Sequence, residues 1–163
     1  MQKLCPSAQP GMEGCRVLGV VQRDGATPVL TYLNEHLPAT PGVLALAAPL
    51  KPTEVFRLAA VCAEHQCPHY DGADCRLATR VVQILPASVD TLPPCIIRKN
   101  CRWYTQEGGA ACKRCPEITT VTYDLSPQTR EVSGLPPFRE DSRDFHSATG
   151  ADRAPDPRPL ASA

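Results

Sequence analysis

The chain has 163 residues, and its 17 Lys and Arg residues balance 17 Asp and Glu residues to a formal net charge of zero. This balance gives no overall field that would favour nucleic acid, an anionic membrane or an acidic substrate. The length fits one domain, and 18 prolines with few aromatic residues predict short elements and a modest core. No stretch approaches the ~20 apolar residues that cross a bilayer, so we expect no membrane contact.

The N-terminal part of the chain predicts an arm followed by a β-hairpin. Residues 1–15 show no periodicity and lack the apolar run of a signal peptide, which predicts a flexible arm on a cytoplasmic protein. Residues 16–21 and 28–33 are short runs rich in branched apolar residues. Asp24-Gly25 lies between them, and this dipeptide is typical of a hairpin turn.

Three helices are predicted in the middle of the chain. Thr40 followed by proline indicates the start of a short helix that runs through Ala47. A second helix is expected from Thr53 to Val61, where it would deliver the first cysteine of the central block. The third covers residues 73–85, because its apolar residues recur at helical spacing.

The C-terminal half predicts a fourth helix, a strand and a tail. Asn100 is a candidate N-cap for a helix that contains Trp103 and stops at Gly108. The β-branched run 118–123 predicts a strand. Residues 124–163 are rich in Pro, Ser, Ala, Arg and Asp, so we expect a disordered tail. The fold class is therefore α+β, with a cysteine-rich metal-binding domain over residues 16–123.

Most of the chemistry in this sequence lies in its cysteines. Seven of the nine fall between residues 62 and 115, and two histidines lie among them. In a reducing compartment, such a cluster indicates metal or redox chemistry more often than disulfides. Thiolates are soft donors that bind zinc or iron–sulfur clusters. The predicted ligands are Cys62, Cys67, Cys75, Cys95, Cys101, Cys112 and Cys115, with His65 or His69 as further candidates.

The spacing favours iron–sulfur over zinc. Structural zinc sites use pairs of ligands separated by two to four residues, and only Cys112-x2-Cys115 fits that pattern tightly. The pair Cys62-x4-Cys67 fits it loosely, and a site built from these two pairs would leave three cysteines without a metal. Wide, irregular gaps that end in Cys115-Pro116 are more typical of [4Fe–4S] ligation. Zinc is the alternative.

The number of clusters is open at this stage. The last four cysteines form a complete ligand set, whereas Cys62, Cys67 and Cys75 are only three. The set of three would leave one iron open or ligated by histidine. Cys5 and Cys15 lie far from the block, so we do not expect them to be ligands, although either could supply an eighth thiol. One cluster with spare buried cysteines is the other possibility. An open iron would suit an accessory component of a metalloenzyme.

Five cations accompany the second half of the cysteine block, and we refer to them as the cationic patch: Arg98, Lys99, Arg102, Lys113 and Arg114. Cations near a negatively charged cluster would stabilise it and raise its potential. The patch could also dock an acidic redox protein or, as the less favoured alternative, a nucleic acid backbone. A solvated helix face carries comparable weight.

The motifs of phosphate-binding, dinucleotide-binding and hydrolytic enzymes are absent from the sequence, which favours a non-enzyme. Residues 53–80 and 101–116 resemble small cysteine-rich bacterial proteins of unassigned role, which implies a bacterial cytosolic setting. Cys115-Pro116 resembles the last ligand of bacterial ferredoxins. We therefore expect an iron–sulfur protein that acts in electron transfer or redox sensing with a protein partner. A zinc-stabilised interaction module is the alternative.

Overall fold

A computed structural model describes residues 2–22, 28–121 and 126–135, and all nine cysteines lie within these ranges. It contains a four-stranded antiparallel sheet and several short helices, so the predicted α+β class is confirmed.

The sheet joins the N-terminal arm to the hairpin through a central strand. Its order is β1-β4-β2-β3, and each neighbouring pair is antiparallel. The predicted hairpin is confirmed as β2 and β3, while its predicted turn at Asp24-Gly25 lies outside the described residues. The strands are β1 (Leu4–Cys5), β2 (Arg16–Gln22), β3 (Val29–Pro38) and β4 (Phe56–Val61).

The helices are short; two of them begin directly after a cysteine, and one ends at a cysteine. Thr40 caps the first of them, as predicted, because its side chain accepts a hydrogen bond from the Val43 N–H at 3.3 Å. The third predicted helix is also present, but it begins at Arg76, directly after Cys75, instead of at residue 73. The fourth begins directly after Cys101 instead of at the expected cap, Asn100. The helices are α1 (Pro41–Ala45), α2 (Pro52–Val55), α3 (Arg76–Ile84), α4 (Arg102–Glu107), α5 (Gly109–Cys112) and α6 (Pro127–Ser133).

The predicted helix from Thr53 to Val61 is wrong beyond its first turn, because β4 begins at Phe56. Phe56, Leu58 and Ala60 pack on one side of the sheet, against the arm and the region of α1. Ala59 packs on the opposite side, in the core that contains the cysteines. A strand covered on both faces is apolar at nearly every position, so its short sequence does not distinguish it from a buried helix.

The predicted strand over 118–123 does not form in its described part. Residues 118–121 are irregular and follow a 3₁₀ turn at Cys115–Glu117. The Ile118 carbonyl accepts a hydrogen bond from the Arg57 guanidinium. This carbonyl is therefore paired with a side chain and not with the backbone of a neighbouring strand. Residues 122–123 lie outside the described residues.

The disordered tail predicted from residue 124 is wrong for residues 126–135. Ser126 caps α6, and Val132 is buried against the core. Arg80 of α3 donates to the Val132 carbonyl at 2.7 Å, which fixes the helix to the domain. Residues 122–125 and 136–163 are outside the described residues.

Gly19 permits an irregular pairing between β2 and β3 that places Tyr32 opposite it. A Cβ atom at Gly19 would lie 2.4 Å from the Thr31 carbonyl oxygen, so β3 would have to move. We predict that Gly19→Ala lowers the free energy of unfolding by about 1–3 kcal/mol, as overpacking does. Chemical denaturation measures the loss, with Gly42→Ala as the control because no atom lies within 4 Å of its Cβ position. Equal stabilities of the two variants would contradict the prediction.

Candidate metal centres

The structure divides eight of the nine cysteines into two groups of four, each around its own cavity. The first thiol site comprises Cys5, Cys62, Cys67 and Cys75. The second thiol site comprises Cys95, Cys101, Cys112 and Cys115. Cys15 lines neither cavity, and its thiol donates to the Gln9 carbonyl at 3.6 Å.

Backbone pairing of the arm assembles the first thiol site. β1 pairs with the end of β4, with Cys5 opposite Ala60. The Cys62 N–H donates to the Lys3 carbonyl at 2.9 Å, which extends this pairing by one residue. A 3₁₀ turn at Glu64–Gln66 then leads to Cys67, and Cys75 directly precedes α3. The arm therefore supplies the fourth thiol that the central block lacks.

The second thiol site is built from local turns around α4 and α5. A 3₁₀ turn at Arg98–Asn100 separates Cys95 from Cys101, which directly precedes α4. Gly108 has a positive φ of 61° and lets the chain change direction between the helices. Cys112 ends α5, and Cys115 begins the next 3₁₀ turn.

A side chain of α4 links the second site to the first. The Cys75 N–H donates to Gln106 Oε1 at 2.8 Å, and Gln106 Nε2 donates to the Cys75 carbonyl at 3.2 Å. Both hydrogen bonds fix the backbone at the start of α3. The position of Cys75 in the first site therefore depends on α4, the helix that begins directly after Cys101 of the second site.

Burial favours the protonated form of five thiols in the two sites. It raises the pKa of Cys5 and of Cys101 to about 12 in each case. Burial also raises the pKa of Cys75, Cys95 and Cys112. Because metals bind thiolates, loading either site must release protons.

The raised pKa values predict how the stability of the metal-free protein depends on pH. A folded thiol with a pKa above its ordinary value of 9.0 holds its proton more tightly than the unfolded chain does. Its contribution to stability is therefore complete below about pH 9 and decreases as the pH rises toward about 12. We expect chelator-treated protein to be less stable at about pH 10 than at about pH 8, and Cys101→Ala to reduce this difference. Stability that is unchanged or higher at the upper pH would contradict the prediction.

Three arginines lie against cysteines of the two sites. Arg57 is only 1% exposed, and its Nη2 lies 3.8 Å from Cys115 Sγ. Arg98 lies beside Cys112, and Arg102 lies beside Cys62. A buried guanidinium requires a compensating negative charge, yet no carboxylate in the described ranges forms an ion pair with Arg57 or Arg98. The thiolates of a loaded site would provide that charge.

Buried N–H groups point to the same two cavities. Arg98 Nε, Arg102 Nε and Trp103 Nε1 are buried and have no hydrogen-bond partner among the residues that the structure describes. Arg98 lines the second cavity, Arg102 lines the first, and Trp103 lines both. Unsatisfied buried donors are rare and costly in folded proteins. The sulfurs of a metal centre are suitable acceptors, so the residues present fit such a group.

The cationic patch is largely not a free surface. Arg98 donates to the Pro93 carbonyl, and Arg102 pairs with Glu64. Arg114 donates to the Leu85 carbonyl at 2.6 Å and to the Ala110 carbonyl at 2.9 Å, which connects the ends of α3 and α5. Lys99 is exposed, and Lys113 is half-buried. These contacts do not favour a phosphate-backbone interface.

The two candidate histidines have different surroundings. His69 lines the first cavity, and its Nδ1 lies 3.2 Å from Nη2 of Arg80. His65 instead packs edge-on against Tyr70, with ring centroids 5.1 Å apart. Since Cys5 gives the first site four thiols, neither histidine is needed to reach that number. The hypothesis of an open iron stays a prediction.

Among the residues that the structure describes, no three or more His, Cys, Asp or Glu side chains are arranged to hold a metal ion. The helices described are too short or too polar to cross a membrane. Comparison of the chain with known protein families, curated proteins and solved structures finds no match.

Proposed function

We propose that the protein binds two iron–sulfur clusters, one at each thiol site, and acts in electron transfer or redox sensing. The observation that carries this proposal is the position of Cys5 in the cavity of Cys62, Cys67 and Cys75. With it, each cavity has four thiols, which is the ligand number of a [4Fe–4S] cluster. Two complete sets from eight of nine cysteines leave only Cys15 without a proposed role.

The spacing of the thiols along the chain supports clusters over zinc. A structural zinc ion binds four ligands in one tetrahedron, usually from two pairs of close cysteines, and only Cys112-x2-Cys115 forms such a pair tightly. A cubane presents four separate irons, so its thiolates can come from positions that are further apart.

The surrounding residues suit a centre that changes charge by one electron. Arg57 and Arg98 would oppose the negative charge of the second cluster, and Arg102 that of the first. Trp103 and the arginine N–H groups would donate to cluster or thiolate sulfur. The clusters would supply the electron storage, while the chain fixes the ligands and limits access of water.

The partner that this function requires is another redox protein, and a reducing cytoplasm would suit the free thiols. Lys99 is the exposed cation nearest in sequence to the second site, so a partner with acidic groups would be attracted there. No substrate motif accompanies the two sites, and a non-enzymatic carrier is the role that we propose.

Repeated reduction and reoxidation of anaerobically purified protein tests the proposal. We expect a brown protein whose broad visible absorption bleaches with a one-electron reductant and returns on oxidation over several cycles. A colourless protein that contains zinc would refute the cluster assignment. A brown protein whose colour is lost irreversibly in the first anaerobic cycle would refute electron transfer as its role.

A further inference from the structure

Trp103 separates the two thiol sites and contacts both cavities. Its side chain is 2% exposed and belongs to the main hydrophobic core. The residues before it connect the sites along the chain, because Cys101 lines the second cavity and Arg102 lines the first. A single buried ring therefore forms part of the wall of each site.

A second connection runs through β1. Leu4 forms an isolated parallel bridge with Cys101, and the next residue, Cys5, belongs to the first site. Bridged residues are about 4.8 Å apart and consecutive α-carbons about 3.8 Å, so the α-carbons of Cys5 and Cys101 are within about 9 Å of each other. One ligand of each site is therefore a near neighbour of a ligand of the other.

The two sites differ in exposure. In the second site, Cys101, Cys112 and Cys115 are buried, whereas Cys75 is the buried member of the first site. Cys62 and Cys67 of the first site are partly exposed, as is Cys95 of the second, while the partly exposed Cys5 is buried enough to raise its pKa. An external electron donor would therefore reach the first site more easily.

The two sites also differ in charge. Arg98 contacts the second site alone, whereas Arg57 contacts Cys115 of the second site and also lies near Cys5 of the first; neither arginine forms an ion pair with a carboxylate of the described residues. Arg102 contacts the first site, but Glu64 offsets its charge. Burial alone opposes adding an electron, yet it also strengthens the attraction of two fixed cations for that electron. Because the cations are not neutralised, we expect their attraction to dominate and the second site to have the higher potential.

We propose that the chain is a two-step relay in which an electron enters at the first cluster and passes across the Trp103 wall to the second. This inference rests on the proposed function. In the transfer step, the first cluster is oxidised from the 1+ to the 2+ state and the second is reduced from 2+ to 1+. The electron comes from a one-electron donor outside the chain, and no bond to the protein is made or broken.

Electron paramagnetic resonance during stepwise reduction with dithionite tests the relay. The first electron equivalent should give the signal of the second cluster, identified from a Cys62→Ser/Cys67→Ser variant that lacks the first. Full reduction should give a spectrum broadened by coupling between two neighbouring paramagnets. A first signal from the other cluster, or a fully reduced spectrum that is the plain sum of two isolated signals, would overturn the relay. Protein without iron and sulfide would refute the proposed function itself.

A charge variant tests the polarity of the relay independently. Arg98→Gln should lower the potential of the second cluster and leave that of the first unchanged, whereas Arg98→Lys should restore most of the loss. Lys99→Gln is the matched control, because it removes an adjacent but exposed cation. A shift confined to the first cluster, or equal shifts in Arg98→Gln and Lys99→Gln, would contradict the assignment of Arg98 to the second site.

Discussion

Replacing Cys5 by alanine is expected to lower the iron content by between about one and four atoms per chain, since one ligand of a [4Fe–4S] cluster is lost. The loss ranges from one unsupported iron to the whole first cluster. Cys5 lies in the N-terminal arm, far in sequence from the other cysteines of its site, and only the pairing of β1 with β4 places it there. Iron and acid-labile sulfide of anaerobically purified protein measure the effect.

Cys15→Ala is the matched control for this experiment. Cys15 is also a partly exposed cysteine outside the central block, but it lines neither cavity. The Cys15→Ala substitution should leave the iron and sulfide contents at the level of the unaltered chain. Equal iron in Cys5→Ala and the unaltered chain, or a loss caused by Cys15→Ala instead, would contradict the composition of the first site.

Replacing Arg57 by methionine is expected to destabilise the iron-loaded protein by about 3–5 kcal/mol, as the loss of one member of a buried charge pair does. Arg57 donates to the carbonyls of Pro6 and Ile118 and contacts the Cys115 sulfur. In the metal-free protein, the negative charge of the cluster is absent, so the same change should cost less. Anaerobic chemical denaturation of both forms measures the difference.

Arg16→Met provides the comparison for Arg57. Arg16 lies on the neighbouring strand, is partly exposed, and its Nε donates to the nearby Gly14 carbonyl at 3.2 Å. Its loss should affect stability by about 0.5 kcal/mol or less, as is usual at the surface. A cost for Arg57→Met that is the same with and without iron would show that its carbonyl contacts, and not a charged centre, explain its burial.

The sequence predicted the parts of this molecule that depend on local patterns. Short runs of branched apolar residues on either side of Asp24-Gly25 predicted β2 and β3, and helical spacing predicted α3, because both patterns are set by neighbouring residues. The density of cysteines in the central block singled out seven thiols that the structure divides between the two cavities. Their use as metal ligands stays a prediction.

The parts that the sequence did not predict depend on contacts between distant residues. Nothing in the spacing distinguishes Cys5 from Cys15, since the choice is made when the arm pairs with β4. Arg57 is the only charged residue in the apolar run Phe56–Val61. A lone charge in such a run indicates a buried ion, but the helix predicted there did not take it into account.

The cationic patch shows the same limit. Charge count alone does not reveal that Arg98 and Arg114 bind backbone carbonyls. The structure of the surrounding turns decides whether such side chains face solvent or the chain itself.

The most direct measurement of the central claim is the metal and acid-labile sulfide content of the full chain, purified without oxygen. Two [4Fe–4S] clusters require about eight irons and about eight sulfides per chain, with little zinc. A chain with about one zinc per thiol site and no sulfide would contradict the account, because each group of four thiols would then hold a single ion.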